Sequence, residues 1–345
     1  MSLKDNTSGL LLDKSTVRTT HVNLPLIKRT RSYEWEGDTT LQAEDMYGEV
    51  MFFGDWHLGS EAHARNPFNA YLKLIATNPH MKVVLMGDYF EYSEKSSNIS
   101  DEIMDVDDQI ELFIGVLRTL RSQIIAILAG NHDHRLTKYT GRRRYLQGFA
   151  REAGIDPEET YVGLPQRGIN IFADAGDYRY SIYCLHGSTG AWRNKNTQLK
   201  RMAVSRRHTL LTMGHVHQVL WEPSLYLEPM QDGSIEARLQ YWLATGGFLK
   251  DASYAEAKSY PPSLVGAPVV RFSASTNELD MWQLPYRSHY FDGGKMALAD
   301  ITDIIGNSIE GGMGGRPPCP VCGGTRIISR GHVWNCKSCG KYYSK

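Results

Sequence analysis

Residues 50–57, Val-Met-Phe-Phe-Gly-Asp-Trp-His, join a short apolar run to a glycine and to two polar residues that can bind metals, Asp55 and His57. Short runs rich in Val, Ile, Leu and Phe are typical of buried strands. The same pattern, an apolar run that ends in a glycine-containing polar cluster, recurs at Val83–Gly87, Ile124–Gly130, Ser181–Leu185, Leu210–Gly214 and Tyr241–Thr245. These segments predict strands whose C-terminal ends carry polar side chains.

Helical segments separate the first three predicted strands. Phe68–Thr77 is one, and Ile103–Arg121 is another, with apolar residues spaced for one face of a helix. The later strands, predicted at Val269–Ser273 and Glu278–Gln283, have no long helix between them. The order predicts the α/β class. We expect a four-layer αββα sandwich of two mixed sheets flanked by helices, plus a small C-terminal zinc ribbon.

The polar residues at the strand ends predict a common site, because ligands of α/β sheets gather outside the carboxyl ends of the strands. The predicted strand ends carry Asp55, His57, Asp88, Asn131, His132, His186, His215 and His217. Converging carboxylates and imidazoles are typical of a site for two divalent cations.

Five blocks of this sequence, over roughly residues 49–250, resemble in order those of the calcineurin-like metallophosphoesterases. They are Asp55-Trp56-His57, Gly87-Asp88, Gly130-Asn131-His132-Asp133, His186-Gly187 and Gly214-His215-Val216-His217. The resemblance implies a metal-dependent phosphoric ester hydrolase with two divalent ions in its active site. It implies one metal held by Asp55, His57, Asp88 and His217, and a second held by Asp88, Asn131, His186 and His215. Asp88 would bridge the two ions.

The resemblance also implies the catalytic residues. His132 would face the substrate and protonate the leaving oxygen, with Asp133 holding its other ring nitrogen. A hydroxide that bridges the metals would displace the leaving group in line, without a covalent intermediate. The mixed oxygen and nitrogen ligands favour Mn²⁺, with iron and Zn²⁺ as alternatives.

Two cysteine pairs near the C-terminus resemble a zinc ribbon. They are Cys319-Pro320-Val321-Cys322 and Cys336-Lys337-Ser338-Cys339. The ligands of its one structural Zn²⁺ would be Cys319, Cys322, Cys336 and Cys339. Ile327-Ile328 and Val333-Trp334 predict short strands between the pairs. Basic and aromatic residues in this module suit nucleic acid binding, and contact with a protein is the alternative.

The composition divides the chain into four parts: an N-terminal extension at 1–47, a catalytic domain at 48–290, a glycine-rich linker at 291–316 and the ribbon at 317–345. Lys plus Arg and Asp plus Glu both number 38, so net charge indicates no partner. No apolar run suits a signal peptide or a membrane span, which predicts no membrane partner. Paired cysteines of metal type predict a cytoplasmic protein, and Cys184 is expected to be a buried thiol.

Local basic clusters bear on the substrate. Arg142 and Arg143 follow the Asn131 block closely, and Arg193 and Lys200 lie between the His186 and His215 blocks. Such clusters suit a polyanionic backbone, so we expect a phosphodiesterase or nuclease that acts on nucleic acid. The alternative is a small-molecule phosphoesterase or pyrophosphatase for a nucleotide-type substrate. A third alternative is a partner-binding protein that uses the ribbon on a hydrolase scaffold.

Two block sequences give different indications of the substrate. Residues 55–59, Asp-Trp-His-Leu-Gly, are similar to the first block of Mre11/SbcD-type nucleases. Residues 87–91, Gly-Asp-Tyr-Phe-Glu, are similar to the second block of UDP-diacylglucosamine pyrophosphatases of the lipid A pathway. Those pyrophosphatases usually carry Arg at the position of His132, which counts against them. The sequence does not predict the oligomeric state.

Overall fold

The apolar runs form strands, as predicted, in a computed structural model that describes residues 19–35, 39–92, 103–141, 144–164, 167–188, 195–250, 265–284, 327–330, 333–336 and 342–344. The strands are β1 (Thr19–Asn23), β2 (Ile27–Trp35), β3 (Thr39–Phe53), β4 (Lys82–Leu85), β5 (Ile124–Ile127), β6 (Tyr161–Val162), β7 (Ile169–Ala175), β8 (Tyr178–Leu185), β9 (Leu210–Met213), β10 (Val219–Pro229), β11 (Ile235–Thr245), β12 (Val269–Ser273), β13 (Leu279–Trp282), β14 (Ile327–Arg330), β15 (Val333–Cys336) and β16 (Tyr342–Ser344). The helices are α1 (Arg65–Thr77), α2 (Val106–Leu120), α3 (Asn131–Thr140), α4 (Tyr145–Glu152) and α5 (Lys195–Ser205).

The strands form two mixed sheets. The first has the order β13-β12-β3-β4-β5-β6, with β2 also paired to β3, and its strands β3 to β6 run parallel. The second has the order β1-β7-β8-β9-β11-β10, in which β8, β9 and β11 run parallel. The α/β class and the two mixed sheets are therefore confirmed.

The alternation of side chains along β3 explains why the sheets need cover on both faces. Val50 and Phe52 pack in a core with Ile171 and Ile182 of the second sheet. Their neighbours Met51 and Phe53 point the other way, into a core built with α1, α2 and α4. Successive residues of a strand face opposite sides, so an unbroken apolar run needs two partners.

The outer face of the second sheet is covered by α5. Leu199 and Met202 of this helix pack with Tyr183 of β8 and Leu211 of β9. The layers are then helices, first sheet, second sheet and helix, as expected. Cys184 of β8 points into the core between the sheets, where burial raises the pKa of its thiol to about 12. The prediction of a buried structural thiol is confirmed.

Residues 19–47 correct the predicted boundary of the catalytic domain. Strand β1 pairs in parallel with β7, from Thr19 opposite Asn170 to Asn23 opposite Asp174. Strand β2 pairs with β3 from Ile27 to Trp35. The predicted extension at 1–47 is therefore corrected for Thr19–Asn23, Ile27–Trp35 and the first residues of Thr39–Phe53, because these segments are strands of the two sheets. Strand β1 lies at the edge of the second sheet and alternates exposed and half-buried residues, which explains its mixed polar composition.

The C-terminal strands β14, β15 and β16 form a separate antiparallel sheet, and the two predicted strands at 327–328 and 333–334 are confirmed. Cys319, Cys322 and Cys339 lie outside the described residues, and only the backbone of Cys336 is described. The linker 291–316 and the boundary at 290 also lie outside them. None of the helices described is long and apolar enough to cross a membrane.

Candidate metal centre

The loops that follow β3, β4, β5, β8 and β9 bring the predicted ligands to one edge of the fold. Asp55 and His57 follow β3, and Asp88 follows β4. Asn131 begins α3 after β5, and His186 follows β8 directly. His215 and His217 follow β9 in the same way. The side chains converge because the carboxyl ends of the parallel strands meet at that edge.

Asp55, His57 and His217 form the first group of candidate metal ligands. Nε2 of His217 lies 3.2 Å from a carboxylate oxygen of Asp55 and 3.2 Å from Nε2 of His57. Nδ1 of His57 donates to the carboxylate of Glu91 at 2.6 Å, which assigns the lone pair of the neutral ring to Nε2. A lone pair of His57 therefore points toward His217 and Asp55.

Asp88, His186 and His215 form the second group, with Asn131 beside them. Nδ1 of His186 donates to the carbonyl oxygen of Met86 at 2.8 Å. Its Nε2 lies 3.1 Å from Oδ2 of Asp88 and 3.2 Å from Oδ1 of Asn131. Nδ1 of His215 is buried and has no hydrogen-bond partner in the described part of the chain.

These contacts test whether the residues fit metal ions. In the second group, a neutral His186 ring would present a lone pair to two other acceptors, the Asp88 carboxylate and the Asn131 amide oxygen. Acceptors this close repel each other unless a proton or a cation lies among them. The first group has the same character, since two imidazole nitrogens face one carboxylate. Both donor sets, nitrogen and oxygen from neutral imidazoles and carboxylates, suit divalent transition metals.

The protonation of the second group follows from the same contacts. Burial lowers the pKa of His186, but the charge of Asp88 and the hydrogen bond to it outweigh burial and raise the pKa to about 10. Burial raises the pKa of Asp88, and the opposing contact with His186 brings it well below the usual range. A proton is thus held where a divalent cation would compete for the same atoms.

Backbone strain is concentrated at these residues. The described non-glycine residues with positive φ are Asp55 at 52°, His57 at 49°, Asp88 at 52°, His215 at 70° and His217 at 52°. Each belongs to the predicted ligand set. Such conformations cost about 1–3 kcal/mol each and persist only where the surroundings impose them. The packed strands therefore hold the ligand loops in place before any ion binds.

His132 lies beside the first group, and its ring is T-shaped against that of His57 with centroids 4.6 Å apart. Its Nδ1 is 3.4 Å from Oε1 of Glu91, whose other oxygen accepts the proton of His57. Burial lowers the pKa of His132, but the hydrogen bond with Glu91 and the charge of Asp88 outweigh it and raise the pKa. Glu91 thus links a candidate ligand to a candidate proton donor.

Asp133 does not have the role that the sequence predicted. Its buried carboxylate accepts the backbone N–H groups of Asp88 at 2.8 Å, Tyr89 at 2.8 Å and Gly130 at 2.7 Å. The prediction that Asp133 holds the second ring nitrogen of His132 is wrong, because the two ring nitrogens contact Glu91 and Arg135 instead. Asp133 instead ties the loop after β4 to the start of α3.

Two residues of the site were absent from the predicted set. Glu91 holds His57 and His132, and Arg135 places its guanidinium nitrogens 3.2 and 3.3 Å from the two ring nitrogens of His132. Glu91 stands three residues after Asp88, and Arg135 stands three residues after His132, one helical turn along α3. That spacing was the signal available in the sequence.

The predicted substrate-binding residues are only partly described. Lys200 is exposed on α5, and its neighbour Arg201 is exposed as well. The helix approaches the metal-ligand loops, since the side-chain oxygen of Gln198 accepts the N–H of Ser188 at 3.3 Å, two residues after His186. Arg142, Arg143 and Arg193 lie outside the described residues.

Comparisons with known proteins match this arrangement to one family model, described as calcineurin-like phosphoesterase, over residues 48–236. No curated protein matches the sequence. Similar solved structures include vacuolar protein sorting 29 from Cryptosporidium parvum, at 14% identity over 70% of this chain and 99% of that one, with a TM-score of 0.36. They also include a metallophosphoesterase from Sphaerobacter thermophilus, at 14% identity over 74% and 98%, with a TM-score of 0.32.

Proposed function

The chain belongs to the calcineurin-like phosphoesterase family and is a metal-dependent phosphoesterase, and from this premise we propose that it is a dinuclear phosphodiesterase that cleaves nucleic acid. The family assignment carries the reaction class. The number of metals, the roles of the residues and the substrate are proposals, each supported by a separate feature of the site.

The contacts around the two ligand groups support a pair of divalent ions. Asp55, His57 and His217 would hold one ion, and Asn131, His186 and His215 the other, with the buried carboxylate of Asp88 shared between them. Such a pair supplies positive charge on the phosphoryl oxygens and a nucleophile at neutral pH. Manganese is the proposed metal, with iron or zinc as alternatives.

His132 is the proposed proton donor to the leaving oxygen. Its Nδ1 faces the Glu91 carboxylate, which fixes the ring and favours the protonated form that a general acid needs. Because Glu91 also holds His57, the same carboxylate aligns a metal ligand and the acid. Asp133 contributes indirectly, by holding the Asp88 loop against the N-terminus of α3.

The observation that carries the choice of nucleic acid is the basic surface of α5 at the edge of the site. Its exposed residues include Lys200 and Arg201, and α5 contains no acidic residue. The Gln198–Ser188 contact connects this helix to the loop after His186. Two adjacent exposed cations beside a phosphoryl-transfer site suit the neighbouring phosphates of a polynucleotide.

The four cysteines at 319, 322, 336 and 339 are proposed to bind one structural zinc. The pairing of β14 with β15, between the two cysteine pairs, supports a ribbon. Zinc content measured by mass spectrometry under native conditions tests this, since Cys319→Ser should lose one zinc per chain. The ribbon's partner is proposed to be nucleic acid.

The function is tested with Mn²⁺-loaded protein on bis-p-nitrophenyl phosphate, p-nitrophenyl phosphate and labelled single- and double-stranded oligonucleotides. Asp88→Asn and His132→Ala serve as inactive controls. We expect cleavage of the diester and of an oligonucleotide, lost in both variants. Hydrolysis of the simple esters with every oligonucleotide intact would refute the nuclease and favour the small-molecule alternative. Deletion of 316–345 should weaken cleavage of polymers and leave the small diester unaffected.

A further inference from the structure

One face of α3 leads away from the candidate metal centre and carries three residues suited to a nucleotide. His132, Arg135 and Tyr139 are spaced at i, i+3 and i+7, which places them along the same face of the helix. The rise of the helix puts Tyr139 about 10 Å from His132 along the axis. Tyr139 is 45% exposed, so its ring is accessible to a ligand.

The contacts of Tyr139 hold its ring in a defined orientation. Its hydroxyl donates to Oδ1 of Asp107, in the first turn of α2, at 2.9 Å. Its ring meets that of Tyr92 with centroids 5.6 Å apart and planes inclined by 62°. An anchored ring loses little conformational entropy when a flat group stacks on it. The two inclined rings, Tyr92 and Tyr139, form an aromatic notch.

Arg135 connects the notch to the catalytic region. One guanidinium nitrogen donates to the backbone oxygen of Tyr92 at 3.3 Å, and the two terminal nitrogens lie 3.2 and 3.3 Å from the ring nitrogens of His132. Tyr92 itself follows Glu91 directly in the chain. The guanidinium therefore lies between the group that would donate a proton and the two tyrosine rings, of which Tyr139 is exposed and Tyr92 is partly buried. A phosphate oxygen at this position can accept from it.

We propose that the aromatic notch and Arg135 form a nucleotide subsite, which receives the base attached through its sugar to the phosphate at His132. Arg135 contacts the phosphate, and the ring of Tyr139 stacks with the purine or pyrimidine. This inference rests on the proposed function for its substrate class and adds where the base lies. Stacking on an aromatic ring is tolerant of sequence, which suits an enzyme without base-specific contacts.

The test is calorimetric titration of the full-length protein with AMP and with ribose 5-phosphate, which carries a hydroxyl where AMP carries adenine. Chromatography after each titration checks that AMP is intact. We expect AMP to bind about 10- to 100-fold more tightly than ribose 5-phosphate. Tyr139→Ala should remove this preference without changing the affinity for ribose 5-phosphate. Tyr139→Phe keeps the stacking ring but loses the hydrogen bond to Asp107, so it should retain most of the preference. Arg135→Ala should weaken both ligands.

A matched control is Tyr226→Ala, since Tyr226 is a partly exposed tyrosine of β10 that contacts Arg207 instead. It should leave both affinities unchanged. Equal binding of AMP and ribose 5-phosphate, absence of AMP binding, or an unaltered AMP affinity in Tyr139→Ala would each overturn the subsite. Circular dichroism of Tyr139→Ala should match the wild type, because alanine is a strong helix former.

Kinetics separate the failure of this inference from the failure of the proposed function. The substrates are thymidine 5′-(p-nitrophenyl phosphate) and ethyl p-nitrophenyl phosphate, which share a leaving group. Oligonucleotide cleavage with equal kcat/KM on these two esters would retain the nuclease and reject the subsite. Intact oligonucleotides with Tyr139-dependent binding of AMP would retain the subsite and reject the nuclease.

Discussion

Replacement of Glu91 by glutamine tests the link between metal binding and proton donation. Glutamine has nearly the same size and shape, but its amide nitrogen cannot accept a hydrogen bond. In the protein, one oxygen of Glu91 accepts from His57 at 2.6 Å and the other faces Nδ1 of His132 at 3.4 Å. Glu91→Gln can satisfy only one of the two histidines in its present tautomer.

The size of the effect follows from these contacts. The shorter bond, to His57, is the stronger, so glutamine should retain it through its oxygen and lose the one to His132. A hydrogen bond to a charged group contributes about 1.5–3 kcal/mol, and 1.4 kcal/mol corresponds to a factor of ten. We therefore expect kcat for oligonucleotide cleavage, in which the leaving alkoxide needs a proton, to fall about 10- to 100-fold at saturating Mn²⁺. Metal affinity should change much less.

The assay measures kcat, KM and Mn²⁺ affinity for wild type, Glu91→Gln and the matched control Glu111→Gln. Glu111 is exposed on α2, so its replacement should change none of the three. A large loss of Mn²⁺ affinity with kcat preserved at saturation would show that Glu91 acts through His57 alone. If kcat and metal affinity both stay within twofold of wild type, the positioning role of Glu91 is refuted.

Three further predictions concern the framework of the site. Gly130→Ala should abolish Mn²⁺ binding at the second ligand group, because the added Cβ would collide with the side chain and the backbone nitrogen of Asp88. The control is Gly148→Ala, whose Cβ has no neighbouring atom within 4 Å. Calorimetry should show wild-type Mn²⁺ affinity for this control. Asp133→Asn should lower the free energy of unfolding in urea by about 3 kcal/mol, since an amide cannot accept all three backbone N–H groups; an unchanged midpoint would contradict this. Burial, with the charge of Arg206, lowers the pKa of His208 to about 4. As the pH falls, His208 is protonated in the unfolded chain before it is protonated in the folded protein. Its contribution to the free energy of unfolding is therefore present above the usual pKa of 6.5 and is lost as the pH falls toward 4. The unfolding free energy of His208→Gln, measured from pH 7 to 4, should fall less steeply than that of wild type.

Local patterns were sufficient for much of the fold. The apolar runs before residues 54, 87, 130 and 214 predicted strands correctly, because burial on both faces requires such runs whatever their partners are. The N-terminal strands were missed for the opposite reason. Strand β1 alternates exposed and half-buried residues and pairs with β7, about 150 positions away, so no local signal marks it.

The sequence by itself indicated the reaction class through the resemblance of its five blocks to the calcineurin-like family, and its acids and imidazoles after parallel strands predicted one common site. Tertiary structure decided which of them touch. In the folded chain, the Asp133 carboxylate accepts three backbone N–H groups, and the Glu91 carboxylate contacts both His57 and His132. Arg135 lies between His132 and the aromatic notch. Residue type and spacing are local properties of the chain. Hydrogen-bond partners depend on distances of a few tenths of an ångström between segments far apart in sequence, and only the packed sheets fix those distances.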